Sequence, residues 1–378
     1  MKDVSQSLLL RTLRKEPTPR PPVWFMRQAG RSLSSYRALK NKYDFQTLLN
    51  TPDLAAEITL LPITDLGVDA AIIFSDILVI IEALGFTIGF GASHRPVSAS
   101  QSQKYPLHSP SSSSKQAVSQ KLTPYIDNPL KTNPLPPTKY PYRSDCKKLE
   151  NLSAAIKLVK QNRPEIPLIG FCGGPLTIFL YLFAGSGGSF EETLVFIENN
   201  PEFFSDWIAY LTDCSIEYAE LQLRSGVDVF QIFESWAGLL SSAAYEKYVM
   251  GHVVRLAQHI RKKAPVIYFP RLFKAAYPSI PTQEFDAISI DDSLTLTTAS
   301  KIFNKPDNPA NNIVLQGNIH PQVPLYLSHD QLTEYLTDYL RFFKTYPHWI
   351  VNLSHGVLPE TQEKALQIIC QTVKNLTH

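Results

Sequence analysis

The stretch "LIGFCGGPLTIFLYLFA", residues 168–184, carries no charged side chain, and two folds compete for it. One is a membrane crossing. The other is a buried strand running into a buried helix. A bilayer span needs ~20 apolar residues, and this run is slightly short of that. Gly173-Gly174-Pro175 also interrupts it after a few residues, where glycine loosens the backbone and proline opens a helix more readily than it continues one. The strand–turn–helix reading therefore stands, and the chain is not expected to span or bind a membrane.

Working outward, the same unit recurs. Short apolar runs occupy 23–26, 70–74, 167–171, 229–233, 266–269, 287–290, 313–316 and 349–353. Segments of helical period lie between them, such as 203–224 and 331–344. Near-continuous apolar strands alternating with helices indicate a parallel sheet covered by helices. Eight units predict a (β/α)8 TIM barrel, an α/β fold whose usual size is ~250 residues with room for insertions. All 378 residues are read as a single domain.

Residues 94–146 break the rhythm with nine prolines between Pro96 and Pro141 and a serine run at 111–114. This composition predicts a long Pro/Ser-rich insertion after the second βα unit, a low-complexity loop unable to form a packed core.

Bulk composition narrows the function. A formal net charge of +2, from 36 basic and 34 acidic residues, gives no field suited to nucleic acid or to an anionic membrane. Cys146, Cys172, Cys214 and Cys370 are widely spaced, with no C-x-x-C pair, and read as reduced thiols of a cytoplasmic protein. No secretory signal or transit peptide fits "MKDVSQSLLLRTLRKEPTPR". A phosphate-binding G-x-x-x-x-G-K-[ST] loop and a complete G-x-G-x-x-G are both absent. The histidines show no metal-hydrolase H-x-H after the first strand and no zinc-like pairing with cysteine, so no metal is expected.

In a barrel, the residues that follow each strand meet on one rim, the face that carries the active site. Here that rim collects Arg27 and Arg31, then Ser75-Asp76, Gly173-Gly174, Glu234-Ser235, Arg271, Asp291-Asp292, Asn318 with His320, and Ser354-His355-Gly356. Arg27 and Arg31 flank Gly30, which would let a ligand approach the backbone, and their planar guanidinium forks suit carboxylates. Taken alone, Asp76 reads first as a cap on the helix beginning at Ile77, and a carboxylate there would also face those arginines across the barrel mouth.

Six blocks appear in order: "PVWFMRQAGR", "AAIIFSDILVIIEALG", "PLIGFCGGPLTIFLYL", "FQIFESWAG", "LQGNIHP" and "NLSHGVLPE". Together they resemble the uroporphyrinogen decarboxylase family from about residue 6 to the C-terminus. The resemblance implies a homodimer without metal or organic cofactor. Its small-molecule substrate would be uroporphyrinogen, which loses carbon dioxide from four acetate side chains. Residue by residue, it implies a substrate loop of Arg27, Gln28, Ala29, Gly30 and Arg31. It sets Asp76 beneath the pyrrole nitrogens, with Tyr181, Ser235 and His355 around the carboxylate side chains. Asp76 and Arg27 would be the catalytic pair, with His355 or a bound water as the other proton donors open to the reaction. The sequence departs from the family pattern at Ser32, Ser34 and Ser35, and at "PRLFKAAYP" after the fifth strand. A zinc-dependent corrinoid methyltransferase of related barrel fold and a non-catalytic porphyrinogen-binding relative are the alternatives.

Overall fold

The computed structural model describes residues 3–91, 123–127, 129–186, 190–303 and 313–376. Seven parallel strands form one sheet: β1 (Ala71–Ile72), β4 (Leu168–Gly173), β5 (Val229–Glu234), β6 (Val266–Pro270), β7 (Ala287–Ser289), β8 (Val314–Gln316) and β9 (Trp349–Ile350), adjacent in that order. The first apolar run is held differently. Val23 bridges in parallel to Val351, just past β9, and its carbonyl accepts from Asp69 N–H, just before β1, at 2.8 Å. The sheet is thus curled so that both of its edges reach the same segment.

Helices follow the strands and cover the outer face. Pro201–Ser225 shows why such a sequence is helical. Pro201 opens it, Gly226 ends it in the left-handed conformation at φ 115°, and Phe204, Trp207, Ile208, Leu211, Ser215, Tyr218, Ala219 and Gln222 fall on one buried stripe. The uncharged stretch at 168–184 divides as its Gly-Gly-Pro turn predicts. It forms the fully buried strand β4, then the helix Pro175–Ala184. Among the described residues no helix is long and apolar enough to cross a membrane.

Where strands begin, one device appears three times. Asp69, Asp228 and Asp286 precede β1, β5 and β7, and each exchanges hydrogen bonds with one residue of the neighbouring segment: the bridge residue Val23, or the first residue of β4 or β6. Their carboxylates accept from the N–H groups of Val23, Leu168 and Val266, each at 2.8 Å. Their own N–H groups donate to the carbonyls of those same residues. Each carboxylate also pairs with a cation: Arg20 at 2.7 Å, Lys160 at 2.7 Å and Arg261 at 3.1 Å. One side chain thereby satisfies an edge N–H and neutralises a basic group.

The later part of the 94–146 segment corrects the expectation of an unpacked loop. Residues 92–122 and 128 lie outside the described residues. Beyond them, β3 (Thr123–Ile126) pairs antiparallel with β2 (Ile88–Gly91). Leu130 and Pro137 are buried, Tyr140 stacks on Phe86 at 4.7 Å, and the Trp207 indole donates to the Leu135 carbonyl at 3.1 Å. Prolines here fix extended backbone between buried anchors. A proline count alone misses the isolated aromatic and leucine residues that do the packing.

Candidate active site

The strands are parallel, so the loops after their carboxyl ends gather on one face. The first of these loops is built around Gln28. Its side chain is fully buried, accepts from Phe25 N–H at 3.0 Å and donates to the Ala70 carbonyl at 3.0 Å. Gln28 is expected in the substrate loop, and its side chain is used to hold that loop's backbone. Its amide ties the turn to the entrance of β1. Arg27, one residue earlier, is exposed and sits at φ 59°, a left-handed conformation that is costly for a residue with a Cβ. Its aliphatic stem lies against Gly356, where an added Cβ would stand 2.5 Å from Arg27 Cδ. The first loop and the last are therefore in contact. Ala29 and Gly30 complete the turn as half-buried residues.

Asp76 follows β1 and is half-buried. One carboxylate oxygen accepts from Leu78 N–H at 2.8 Å, a local turn that still leaves it in reach of other charges. Burial raises its pKa above the ordinary carboxylate value, while the Leu78 bond and the charges of Arg27 and Lys148 pull it down. Tyr181, on the helix Pro175–Ala184, is raised by burial, and it senses Asp76, Arg27 and Arg271 together. The Trp236 indole also lowers it, although its N–H makes no hydrogen bond of normal geometry. His355 Nδ1 lies 3.1 Å from the Gly356 carbonyl, as a donating N–H would. Burial holds its pKa below the ordinary histidine value, and the Arg271 charge adds to that depression.

Arg27, Asp76, Tyr181, Arg271 and His355 thus share one electrostatic neighbourhood. Ser235 borders it, half-buried beside Trp236. Arg31 follows Gly30 at the end of the first loop. Its charge falls on the Tyr36 hydroxyl, and its carbonyl accepts from Arg37. Sequence reasoning put Arg271 on the rim but assigned it no role, because it lies in the loop that departs from the family pattern.

Glu234 has the chemistry of an active-site acid but a different use. It is fully buried and accepts from Thr177 N–H at 2.7 Å, Thr177 Oγ1 at 2.5 Å and Leu176 N–H at 3.3 Å. It therefore caps the helix Pro175–Ala184 from the end of β5. Burial pushes its pKa up to about 7 against these bonds. Gly174 allows the approach, since a Cβ there would lie 2.2 Å from Glu234 Oε2.

Among the described residues, no group of three or more His, Cys, Asp or Glu side chains is placed to hold a metal ion. His320 pairs with Asp292 at 3.3 Å.

Fold and site together define a class: an α/β protein with a curled parallel sheet whose candidate site, at the strands' carboxyl ends, sets cationic groups near the Asp76 carboxylate. Within that class, the chain belongs to the uroporphyrinogen decarboxylase family. The family model described as "Uroporphyrinogen decarboxylase (URO-D)" matches residues 4–110 and 113–376. The chain is 34% identical over 377 residues to a uroporphyrinogen decarboxylase of Aquifex aeolicus, covering 97% of each chain. To that of Protochlamydia amoebophila it is 32% identical over 367 residues, covering 97% of this chain and 91% of the other. Among solved structures, a methyltransferase from Methanosarcina mazei superposes with a TM-score of 0.71 at 15% identity, covering 99% of both chains. That last likeness concerns the fold.

Proposed function

We propose that this chain is a carboxy-lyase that removes carbon dioxide from the four acetate side chains of uroporphyrinogen III, giving coproporphyrinogen III. Family membership supports the substrate. The observation that carries the chemistry is the cluster itself. Arg27 and Arg271 have no ion-pair partner among the described residues, and they stand around Asp76, Tyr181 and His355. Unpaired guanidinium groups beside a partly buried carboxylate suit a ligand with many carboxylates and one region of developing positive charge.

The reaction then runs as follows. A proton adds to the ring carbon next to the one bearing an acetate, and the positive charge spreads onto the pyrrole nitrogen. The bond from the acetate CH2 to its carboxylate breaks, and carbon dioxide leaves. The electron pair flows into the ring and neutralises the cation. A second proton converts the resulting exocyclic CH2 to methyl, while the first is returned. Asp76, ionised beneath the N–H groups, stabilises the cation as it forms. Arg27 and Arg31 hold carboxylates, with Gln28, Ala29 and Gly30 shaping the loop between them. Ser235, Tyr181 and His355 line the side-chain pockets. Arg27 is a poor proton donor because a guanidinium hardly dissociates, which leaves His355 or water as the better sources.

The same proposal includes the finer architecture. Counting the Val23 segment as the first strand gives a closed (β/α)8 barrel. The chain would act as one domain, as a cytoplasmic homodimer, without a metal or organic cofactor and independently of nucleic acid and membrane. No observation favours the corrinoid methyltransferase or a non-catalytic binding role. The test is incubation of purified protein with uroporphyrinogen III under anaerobic, reducing conditions. Products should appear with seven, six, five and then four carboxylates, and chelation should leave the rate unchanged. Binding without any loss of carbon dioxide would overturn the enzymatic reading. Loss of turnover on chelation, restored by zinc, would favour the methyltransferase-like chemistry.

A further inference from the structure

Among the described residues, the carboxylates of Glu234, Asp291 and Asp292, which flank the Arg271 loop, are already engaged. Arg271 N–H donates to the Glu234 carbonyl at 3.1 Å, but the Glu234 carboxylate caps a helix. The following residue, Leu272, donates its N–H to Asp291 Oδ2 at 2.5 Å, and Asp291 Oδ1 accepts from Ser293 N–H at 3.0 Å. Asp292 pairs with His320. Arg271 itself forms no ion pair among the described residues, and its Nε is buried without a hydrogen-bond partner.

The backbone beneath it is nevertheless fixed. The Arg271 carbonyl accepts from Gly238 N–H at 3.2 Å, so the residue is clamped between the end of β5 and the turn that follows Trp236. Leu272 is held at φ 62°. Its carbonyl oxygen lies only 1.7 Å from where a Cβ on Gly238 would sit, so the two loops close on each other through that glycine. A guanidinium carried on a fixed backbone, without an ion-pair partner among the described residues and with its charge felt by Tyr181 and His355, is organised for an anion from outside.

We propose that Arg271 binds a carboxylate that the substrate keeps, one of its propionates, and so sets the orientation of the macrocycle. The choice of a retained group follows from the chemistry. A guanidinium stabilises a carboxylate more than the neutral carbon dioxide it becomes, so gripping an acetate would oppose its loss. Gripping a propionate carries no such penalty in any of the four rounds. Arg271 is thus a specificity-determining residue supplied by the loop in which this chain departs from the family pattern. The inference rests on the proposed function.

Coproporphyrinogen III retains the propionates and lacks the acetates, so it separates the two kinds of contact. Affinity for uroporphyrinogen III and coproporphyrinogen III is measured by anaerobic titration calorimetry, with kcat and KM from product formation. Arg271→Gln should weaken both ligands by the same factor, roughly tenfold to a hundredfold, and raise KM while kcat changes by less than about threefold. Arg271→Lys should lose less, because the charge remains without the planar fork. Unchanged affinity for both ligands would overturn the assignment, as would weakened binding of uroporphyrinogen alone, which would place an acetate on Arg271. If Arg271→Gln does not fold, the lysine variant decides: unchanged affinities there overturn the assignment too. Wild-type protein that neither binds nor converts either porphyrinogen overturns the proposed function, and the inference falls with it.

Discussion

The two ends of the sheet treat charge in opposite ways. Where the strands begin, Asp69, Asp228 and Asp286 each bond a strand N–H and pair with Arg20, Lys160 or Arg261. Where they end, Arg27 and Arg271 go unpaired among the described residues, and Asp76 has one oxygen engaged by a local N–H. A satisfied charge contributes to stability and has little left for a ligand. An unsatisfied one costs stability and is available for binding. The molecule separates these two uses by the length of a strand.

The largest effect is expected from Asp76→Asn. Asn keeps the acceptor for Leu78 but removes the charge, so turnover should fall by roughly two to three orders of magnitude. Stability should move the other way. Burial raises the folded pKa of Asp76 above its unfolded value. Its contribution is therefore fullest below the unfolded value and is lost as pH rises through the folded one. At neutral pH the variant should melt no lower than the parent. A folded variant with near-normal turnover would remove Asp76 from the mechanism and erase the contrast between the two ends.

Gly356→Ala should act next most strongly. The new Cβ meets the Arg27 stem rather than backbone, so the side chain shifts while the fold persists. A displaced guanidinium should lower kcat/KM by about tenfold or more with little change in melting temperature. Unchanged kinetics would mean that the position of Arg27 does not matter.

Asp228→Ala tests the opposite end. It leaves Leu168 N–H and Lys160 without their shared partner, which should cost about 2–4 kcal/mol of stability. Turnover of the folded protein should stay within about twofold of the parent, since an end built for stability carries no chemistry. A selective loss of turnover would blur the division of labour.

The smallest effect belongs to His355. Its folded pKa lies below the unfolded value, so the unfolded chain takes up protons first as pH falls. The stabilisation is present above the unfolded value of 6.5 and is lost as pH drops toward the folded one. His355→Gln should flatten the fall in melting temperature between neutral and mildly acidic pH. A pH profile identical to the parent's would place His355 in solvent.

Sequence alone located all eight apolar runs, and seven became strands of one sheet, because buried parallel strands need continuous apolar residues. It could not show that the first run is held by isolated bonds to both edges. That depends on Asp69, forty-odd residues away, which reads as an ordinary turn residue. The place of the candidate site was legible at the strand ends, where Arg27, Asp76 and His355 follow apolar runs. The use of a polar side chain that turns inward was not legible. At Gln28 and Glu234 only the partners show that one side chain ties the first loop together and the other caps a helix. Arg271 was passed over for the reverse reason. Its significance lies in a guanidinium without an ion-pair partner among the described residues, a property that spacing does not encode.

The tryptophans add an optical consequence. Trp24, Trp207 and Trp349 are wholly buried, and their indole N–H groups donate to Gln316, Leu135 and Gly317. Trp236 is half-buried and lies edge-on to Phe190 at 5.0 Å, and its influence on Tyr181 places it at the candidate site. Three of the four emitters are therefore shielded from events at the mouth, and one is not. The intrinsic fluorescence of this protein should report occupancy of the site through a single residue, against a constant background from the other three.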